Sequence, residues 1–236
     1  MKVLVTGATG LLGNNVVRQL IDRGDEVTVL VRASSDSRPL AELPVHREVG
    51  DVTDAESVKR AAADVDAIIH TAAHIHIGWT QWETGRRVNV EGSRNVARAA
   101  RERGVRLVYV STVDTFGVGT IDEPADETSP REGKPNCCYV ATKRESNKRS
   151  SRWSPKAGRG DRQSGLHAGP VGLEALVGLN VVRGRHASSV RDSFRRCSGS
   201  RARDVTCGIL SAIERGQGPH LHSAGQNTPA ALNCGR

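Results

Sequence analysis

Tyr139 and Lys143 stand four residues apart in YVATK (139–143), a spacing that puts both side chains on one face of a helix. A tyrosine phenol, with a pKa of about 10, is a poor acid or base at neutral pH, and a neighbouring ammonium lowers that value by favouring the phenolate. A hydroxyl from Ser111 or Thr112, at the end of VYVST (108–112), could bond both the substrate oxygen and the tyrosine. Together these groups make a proton relay of the kind that works beside a hydride carrier. Tyr-x-x-x-Lys on its own is commonly surface decoration, so its weight depends on a second signal.

That signal lies in residues 1–13, MKVLVTGATGLLG. An apolar run, Val3 to Val5, ends in Thr6 and meets Gly7, Gly10 and Gly13 just before an amphipathic segment, Asn14 to Arg23. This is a buried strand turning sharply into a helix. The first glycine permits the turn, the second lets backbone approach a pyrophosphate, and the third lets helix pack on strand, while the helix N-terminus offers N–H groups to an anion. A second strand, Glu26 to Val31, closes the βαβ unit that such a motif requires. The cofactor cradle is therefore read as Gly7, Thr9, Gly10, Leu11, Leu12 and Gly13.

Other candidates follow the strands. Arg32 ends VTVLVR, where an acidic residue would bind ribose hydroxyls; a guanidinium can instead pair with a 2′-phosphate, which favours NADP with NAD as the alternative. A solvated surface arginine is the plainer reading. Asp51, followed by Val52 in VGDVTD, could accept a hydrogen bond from the adenine amino group, and Thr53 with Asp54 could cap the next helix. In HTAA (70–73), Thr71 precedes Ala72 and Ala73, which are small enough for a cofactor to lie against the backbone. His70, His74 and His76 cluster in sequence, but no carboxylate or cysteine completes a metal set, so no metal is expected.

These residues need a scaffold. Up to residue 148 short apolar runs alternate with helical patterns, with strands at 2–6, 26–31, 45–49, 67–71 and 105–111 and helices near 11–23, 54–63, 83–103 and 139–148. The pattern predicts an α/β fold, a doubly wound parallel sheet whose ligand lies at the carboxyl ends of the strands, where Gly7, Arg32, Asp51, Thr71 and Thr112 fall. After Lys148 the texture becomes rich in Ser, Arg and Gly, and periodicity returns only in the island ARDVTCGILSAIERG (202–216). The net charge of +8 divides unevenly: Lys and Arg against Asp and Glu number 20 to 21 in residues 1–148 and 14 to 5 in 149–236. Without a Lys-rich block or recognisable motif, the basic tail does not argue for nucleic-acid binding. There is no run of eighteen apolar residues or signal-peptide pattern, and five cysteines form no C-x-x-C pair, so reduced thiols, no membrane partner and a cytoplasmic location are expected.

The chain closely resembles the extended short-chain dehydrogenase/reductase family, the NAD(P)-dependent epimerase/dehydratase and dihydroflavonol-reductase-like group. The residues that carry this are TGATGLLG (6–13), GDVTD (50–54), HTAA (70–73), VNVEGSRNV (88–96), VYVSTVDTFG (108–117), ADETSP (125–130) and YVATK (139–143). The resemblance implies that Tyr139 is the acid/base, that Lys143 positions the ribose and lowers the tyrosine pKa, and that Thr112 orients the substrate carbonyl or hydroxyl. It makes Asn89 a structural or active-site asparagine. A nucleotide-sugar or flavonol-like small molecule would be the substrate, VLVR favours the NADP-using branch, and an intact homologue would form a homodimer. The alternative is a non-catalytic NAD(P)-binding protein.

The resemblance holds for a Rossmann domain over 1–148 and then breaks. A sixth strand with an Asn-Pro-Gly-like turn and the substrate-binding region are not visible in 149–236, which reads as a degraded or frameshifted remnant with the island at 202–216. Reading Arg162 to Gly178 (RQSGLHAGPVGLEALVG) one base later permits VNPGFMLGPWDWKPSSG, a strand-and-turn segment of the missing kind. Loss of the sixth strand would leave one face or edge of the sheet poorly covered.

Overall fold

The computed structural model describes residues 1–115, 133–150, 173–178 and 201–214. Six parallel strands form one sheet in the order β3-β2-β1-β4-β5-β6: β1 (Lys2–Thr6), β2 (Glu26–Val31), β3 (Val45–Val49), β4 (Ala67–His70), β5 (Arg106–Thr112) and β6 (Leu173–Gly178). The order reverses between β1 and β4, so the crevice for a ligand opens at the carboxyl ends of those two strands.

Alternation along each strand sends side chains to two separate cores. Val3 and Val5 of β1, Ile69 of β4 and Val108 of β5 pack with Val16, Val17 and Leu20 of α1 (Leu11–Asp22). Leu4, Ile68 and Leu107, the alternate residues, pack with Val58 of α2 (Ala55–Ala61) and with Val96 and Ala100 of α4 (Ser93–Arg103). Both faces of the central strands are covered, which is why they read as continuous apolar runs. Edge strand β3 (VHREV) is mostly exposed.

Two features depart from the sequence reading. The expected 83–103 helix is three pieces: α3 (Trp82–Gly85), a π-helical segment (Arg86–Gly92), and α4, which ends at Gly104 with φ +68°. The wider turn holds Asn89, whose side chain bonds outside the helix, and Gly92, where a Cβ would crowd Val52. A sixth strand is also present, contrary to expectation: LEALVG (173–178) pairs with β5 from Leu107↔Leu173 to Thr112↔Gly178. A mostly apolar segment too short to show periodicity suffices, because the free edge of β5 supplies the unmet backbone N–H and C=O groups.

The island folds as α6 (Arg201–Glu214), with Ile209, Ala212 and Ile213 buried in the α1-side core and Cys207 facing Gln19 of α1. The Arg106 guanidinium donates to the Ile213 carbonyl. Ile209→Ala is expected to destabilise the full chain by about 2–5 kcal/mol, the cost of a buried aliphatic cavity. Urea unfolding measures this; an unchanged midpoint would show that α6 is not part of the core. Among the described residues no helix is long and apolar enough to cross a membrane, and no group of three potential metal ligands occurs.

Candidate active site

The glycine turn is built as its spacing requires. Gly7 adopts φ +76°, a conformation that favours glycine, and the Gly10 N–H donates to the Gly7 carbonyl at 3.0 Å. A Cβ on Gly7 would stand 2.6 Å from the Ala72 nitrogen, and one on Gly13 would run into the Gly7 carbonyl. Strand β1, helix α1 and the 71–73 segment therefore meet closer than any side chain allows. Gly10 is the N-cap of α1 and makes no side-chain cap, so first-turn N–H groups remain for an anion. Thr9 is half-buried, Leu11 is exposed and Leu12 packs at the margin of the α1-side core.

The other cofactor candidates line the same end of the sheet. Arg32 is exposed directly after β2. Asp51 accepts the Thr53 N–H at 2.9 Å, and its backbone is pinned by Ser57. Asp54 alone is the N-cap of α2, accepting from the Glu56 N–H; Thr53 is used in the preceding turn and does not share that role. Val52 is buried, and its carbonyl accepts from Asn95 of α4. The Thr71 hydroxyl donates to the Thr6 carbonyl at 2.8 Å, while Ala73 packs against the cluster of Cys137, Tyr139 and Val140.

Asn89 is a brace. Its Oδ1 accepts the His74 N–H (2.7 Å), and its Nδ2 donates to the His74 carbonyl and to Thr142 Oγ1 (2.9 Å each), tying the loop after β4 to α5 (Cys138–Ser150). Both ends of the amide are thereby engaged within the protein.

His70 is buried at the heart of this arrangement, 5.6 Å from the Tyr109 ring. Ser93 donates to the Asn89 carbonyl, so His70 Nε2–H donates to Ser93 Oγ (3.0 Å) and Nδ1 accepts from Thr6 Oγ1 (2.6 Å). Burial, reinforced by the Lys143 charge, pushes its pKa down to about 3. Between that value and the unfolded pKa of about 6.5 the unfolded chain binds the extra proton, so His70 contributes stability above pH 6.5 that is lost as pH falls toward 3. From pH 7 to pH 5, urea unfolding should show a loss attributable to His70 of about 1.4 kcal/mol per pH unit below 6.5. His70→Asn should flatten that part of the slope, and an unchanged slope would contradict the assignment.

Thr112, Tyr139 and Lys143 are all buried where β5 meets the first turns of α5. Thr112 donates to Asp114 Oδ2 at 3.0 Å and is hydrogen-bonded to the Tyr139 phenol. Ser111 is turned to Asn147 (3.0 Å), which also bonds Thr115. The hydroxyl beside the phenol is thus that of Thr112.

The electrostatics differ from the expectation. Burial pushes the Tyr139 phenol up to about 12, Tyr109 and Asp114 add to the rise, and the Thr112 hydrogen bond opposes it. Lys143 does not offset this: its Nζ donates to the Val110 carbonyl at 2.8 Å and sits 4.2 Å over the Tyr109 ring. The phenol is therefore held protonated. Sequence reasoning passed over Asp114 and treated His70 only as a metal candidate; the one visible hint was an acid two residues after Thr112 in STVDT. The ADETSP motif lies outside the described residues.

Residues 3–159 match the NAD dependent epimerase/dehydratase family. Sterol demethylase protein B of Methylococcus capsulatus is 36% identical over 144 residues, 61% of this chain and 44% of that protein. The 3-beta-hydroxysteroid dehydrogenase of Mycolicibacterium neoaurum is 39% identical over 153 residues, 60% of this chain and 40% of that protein. Among solved structures, the UDP-glucose 4-epimerase of Thermus thermophilus in complex with NAD superposes with a TM-score of 0.57 at 32% identity, covering 65% of this chain and 50% of that one. The chain thus spans less than half the length of these curated relatives. With the glycine cradle and parallel sheet in place, the match places the chain in the NAD-dependent epimerase/dehydratase family of extended short-chain dehydrogenase/reductases.

Proposed function

We propose that the chain is the cofactor half of an NADP(H)-dependent enzyme acting at a carbinol or carbonyl carbon, with Tyr139 as its proton donor and acceptor. The observation that carries this is that Thr112 and Tyr139, both buried, lie at the carboxyl end of β5, the same end of the sheet as the Gly7–Gly13 cradle. The residues fit a dinucleotide: Cβ-free backbone at Gly7 and Gly13, an uncapped α1 N-terminus, and Arg32 where a 2′-phosphate would reach. When bound, the nicotinamide supplies or accepts the hydride. Tyr139, kept protonated by burial, donates to a substrate carbonyl oxygen in reduction, and the phenolate this leaves takes the proton back when the alcohol is oxidised. Thr112 orients that oxygen. Lys143 would hold the ribose hydroxyls, Asp51, Val52, Thr71, Ala72 and Ala73 would hold the rest of the dinucleotide, and Asn89 braces the loop after β4 through the His74 backbone. NADP is favoured over NAD because Arg32, and no acid, stands directly after β2. The reading includes a cytoplasmic location, a small-molecule substrate of nucleotide-sugar or flavonol type, and a homodimer in an intact homologue.

The proposal extends to the tail, read as largely a frameshifted translation. The coding DNA decides this: actual codons shifted by one base through Arg162–Gly178 must give the strand-and-turn segment, and any other product rejects it. Oxidation of NADPH against a panel of ketones, by the present chain and a frame-restored one, tests the catalysis. A reductase releases oxidised cofactor, whereas an epimerase or dehydratase returns the hydride. The second reading, a binding protein without turnover, is favoured by the chain's spanning under half the length of the two curated relatives described above; cofactor binding with no turnover in both chains would support it.

A further inference from the structure

Lys143 is 2% exposed, and a buried ammonium is costly unless something offsets its charge. Among the described residues no carboxylate pairs with it. Its Nζ donates to the Val110 carbonyl at 2.8 Å and stands 4.2 Å from the centroid of the Tyr109 ring. The negative face of an aromatic ring attracts a cation, and the attraction grows when water is excluded. The ring therefore takes the place of the missing carboxylate.

Tyr109 offers the site little besides that ring. It is 2% exposed, and its hydroxyl is buried without a hydrogen-bond partner. A buried hydroxyl left unpaired lowers stability instead of adding to it. The ring is held from the sheet: Tyr109 of β5 is the register neighbour of His70 of β4, and the two rings stack with centroids 5.6 Å apart. His70 is itself pinned by Thr6, at the end of β1, and by Ser93 of α4. The strand that leads into the glycine turn is thus tied, through His70 and Tyr109, to the ammonium one helical turn beyond Tyr139.

We infer that Tyr109 is a positioning residue for Lys143, its π face, steadied by His70, holding the ammonium so that N–H donors remain for the ribose hydroxyls of the cofactor. The inference rests on Lys143 being the ribose-binding group of the proposed function. An ammonium has three donors, and the Val110 carbonyl takes one. A ring face balances the charge without offering a carboxylate oxygen to compete for the others.

The test changes the charge distribution of the ring while nearly keeping its shape. In the full chain Tyr109 is replaced by phenylalanine and, through codon suppression, by a phenylalanine trifluorinated on the ring, which draws electron density from the face. Calorimetric titration reads NADPH affinity. Urea unfolding without cofactor reads stability, both with Lys143 in place and in Lys143→Met. Tyr109→Phe should bind NADPH within about twofold of the wild-type chain and be no less stable, because the lost hydroxyl had no partner. The trifluorinated ring should weaken NADPH binding about threefold or more, and lower the urea midpoint only where Lys143 is present. Equal NADPH affinity for the two phenylalanine rings, or a midpoint whose response to fluorine is indifferent to Lys143, would overturn the inference and leave the ring as packing alone. A loss of affinity or stability in Tyr109→Phe would assign the role to the hydroxyl and overturn it as well. None of these outcomes touches the cofactor reading, which fails only if the wild-type chain does not bind NADPH, and the inference then falls with it.

Discussion

Tyr139→Phe should lower kcat for NADPH-dependent ketone reduction by about 10²–10⁴-fold while leaving NADPH affinity within about twofold. The phenol oxygen alone distinguishes the two side chains. Burial holds Tyr139 at about 12, so the wild-type group remains protonated through neutral pH and serves as an acid without a pH-dependent loss below that value. Phenylalanine fills the same space against Ala73 and Val140, so the fold should survive. Paired measurements of kcat and NADPH affinity check this. Equal activity in the variant would remove Tyr139 from the mechanism, and a parallel loss of cofactor affinity would make it a binding residue.

Gly7→Val should have the largest effect on binding. The φ of +76° costs a β-branched residue about 1–3 kcal/mol, and the new Cβ meets the Ala72 nitrogen and Thr71 Oγ1, neither the end of a flexible chain. The turn must open, separating β1 from the 71–73 loop and tilting α1. Loss of NADPH binding by about 100-fold or more should accompany a fall of several degrees in Tm, since about 1 kcal/mol already shifts Tm by ~2–8 °C in domains of ordinary size. Calorimetric titration and thermal unfolding measure the two together. Unchanged affinity would show that the cradle does not hold the cofactor.

Both effects trace to residues that are legible in the sequence. The glycine spacing, the Tyr139–Lys143 interval and the apolar runs of β1, β2 and β4 are local signals, and each element appears where its pattern puts it. What escapes depends on partners distant in sequence. The π-helical turn exists because Asn89 reaches His74 and Thr142, fifteen and fifty-three residues away. Strand β6 is a six-residue segment, LEALVG, with an acid at Glu174 and no clear period of its own, and it pairs along the free edge of β5. Helical spacing alone leads one to expect that Lys143 lowers the tyrosine pKa, yet spacing cannot show that the Val110 carbonyl and the Tyr109 ring hold the ammonium. The resemblance already implies Thr112 rather than Ser111, but that Asn147 engages Ser111 is visible only in the fold.

Whether the glycine turn and Arg32 together form a dinucleotide site is decided by a fluorescence titration of the full chain with NADPH and, separately, with NADH, repeated for Arg32→Ala. Saturable one-to-one binding of both dinucleotides is expected, with NADPH the tighter. Arg32→Ala should erase that preference by weakening NADPH about tenfold or more while NADH stays unchanged. Failure of either dinucleotide to bind saturably would contradict the assignment of a cofactor site at its root.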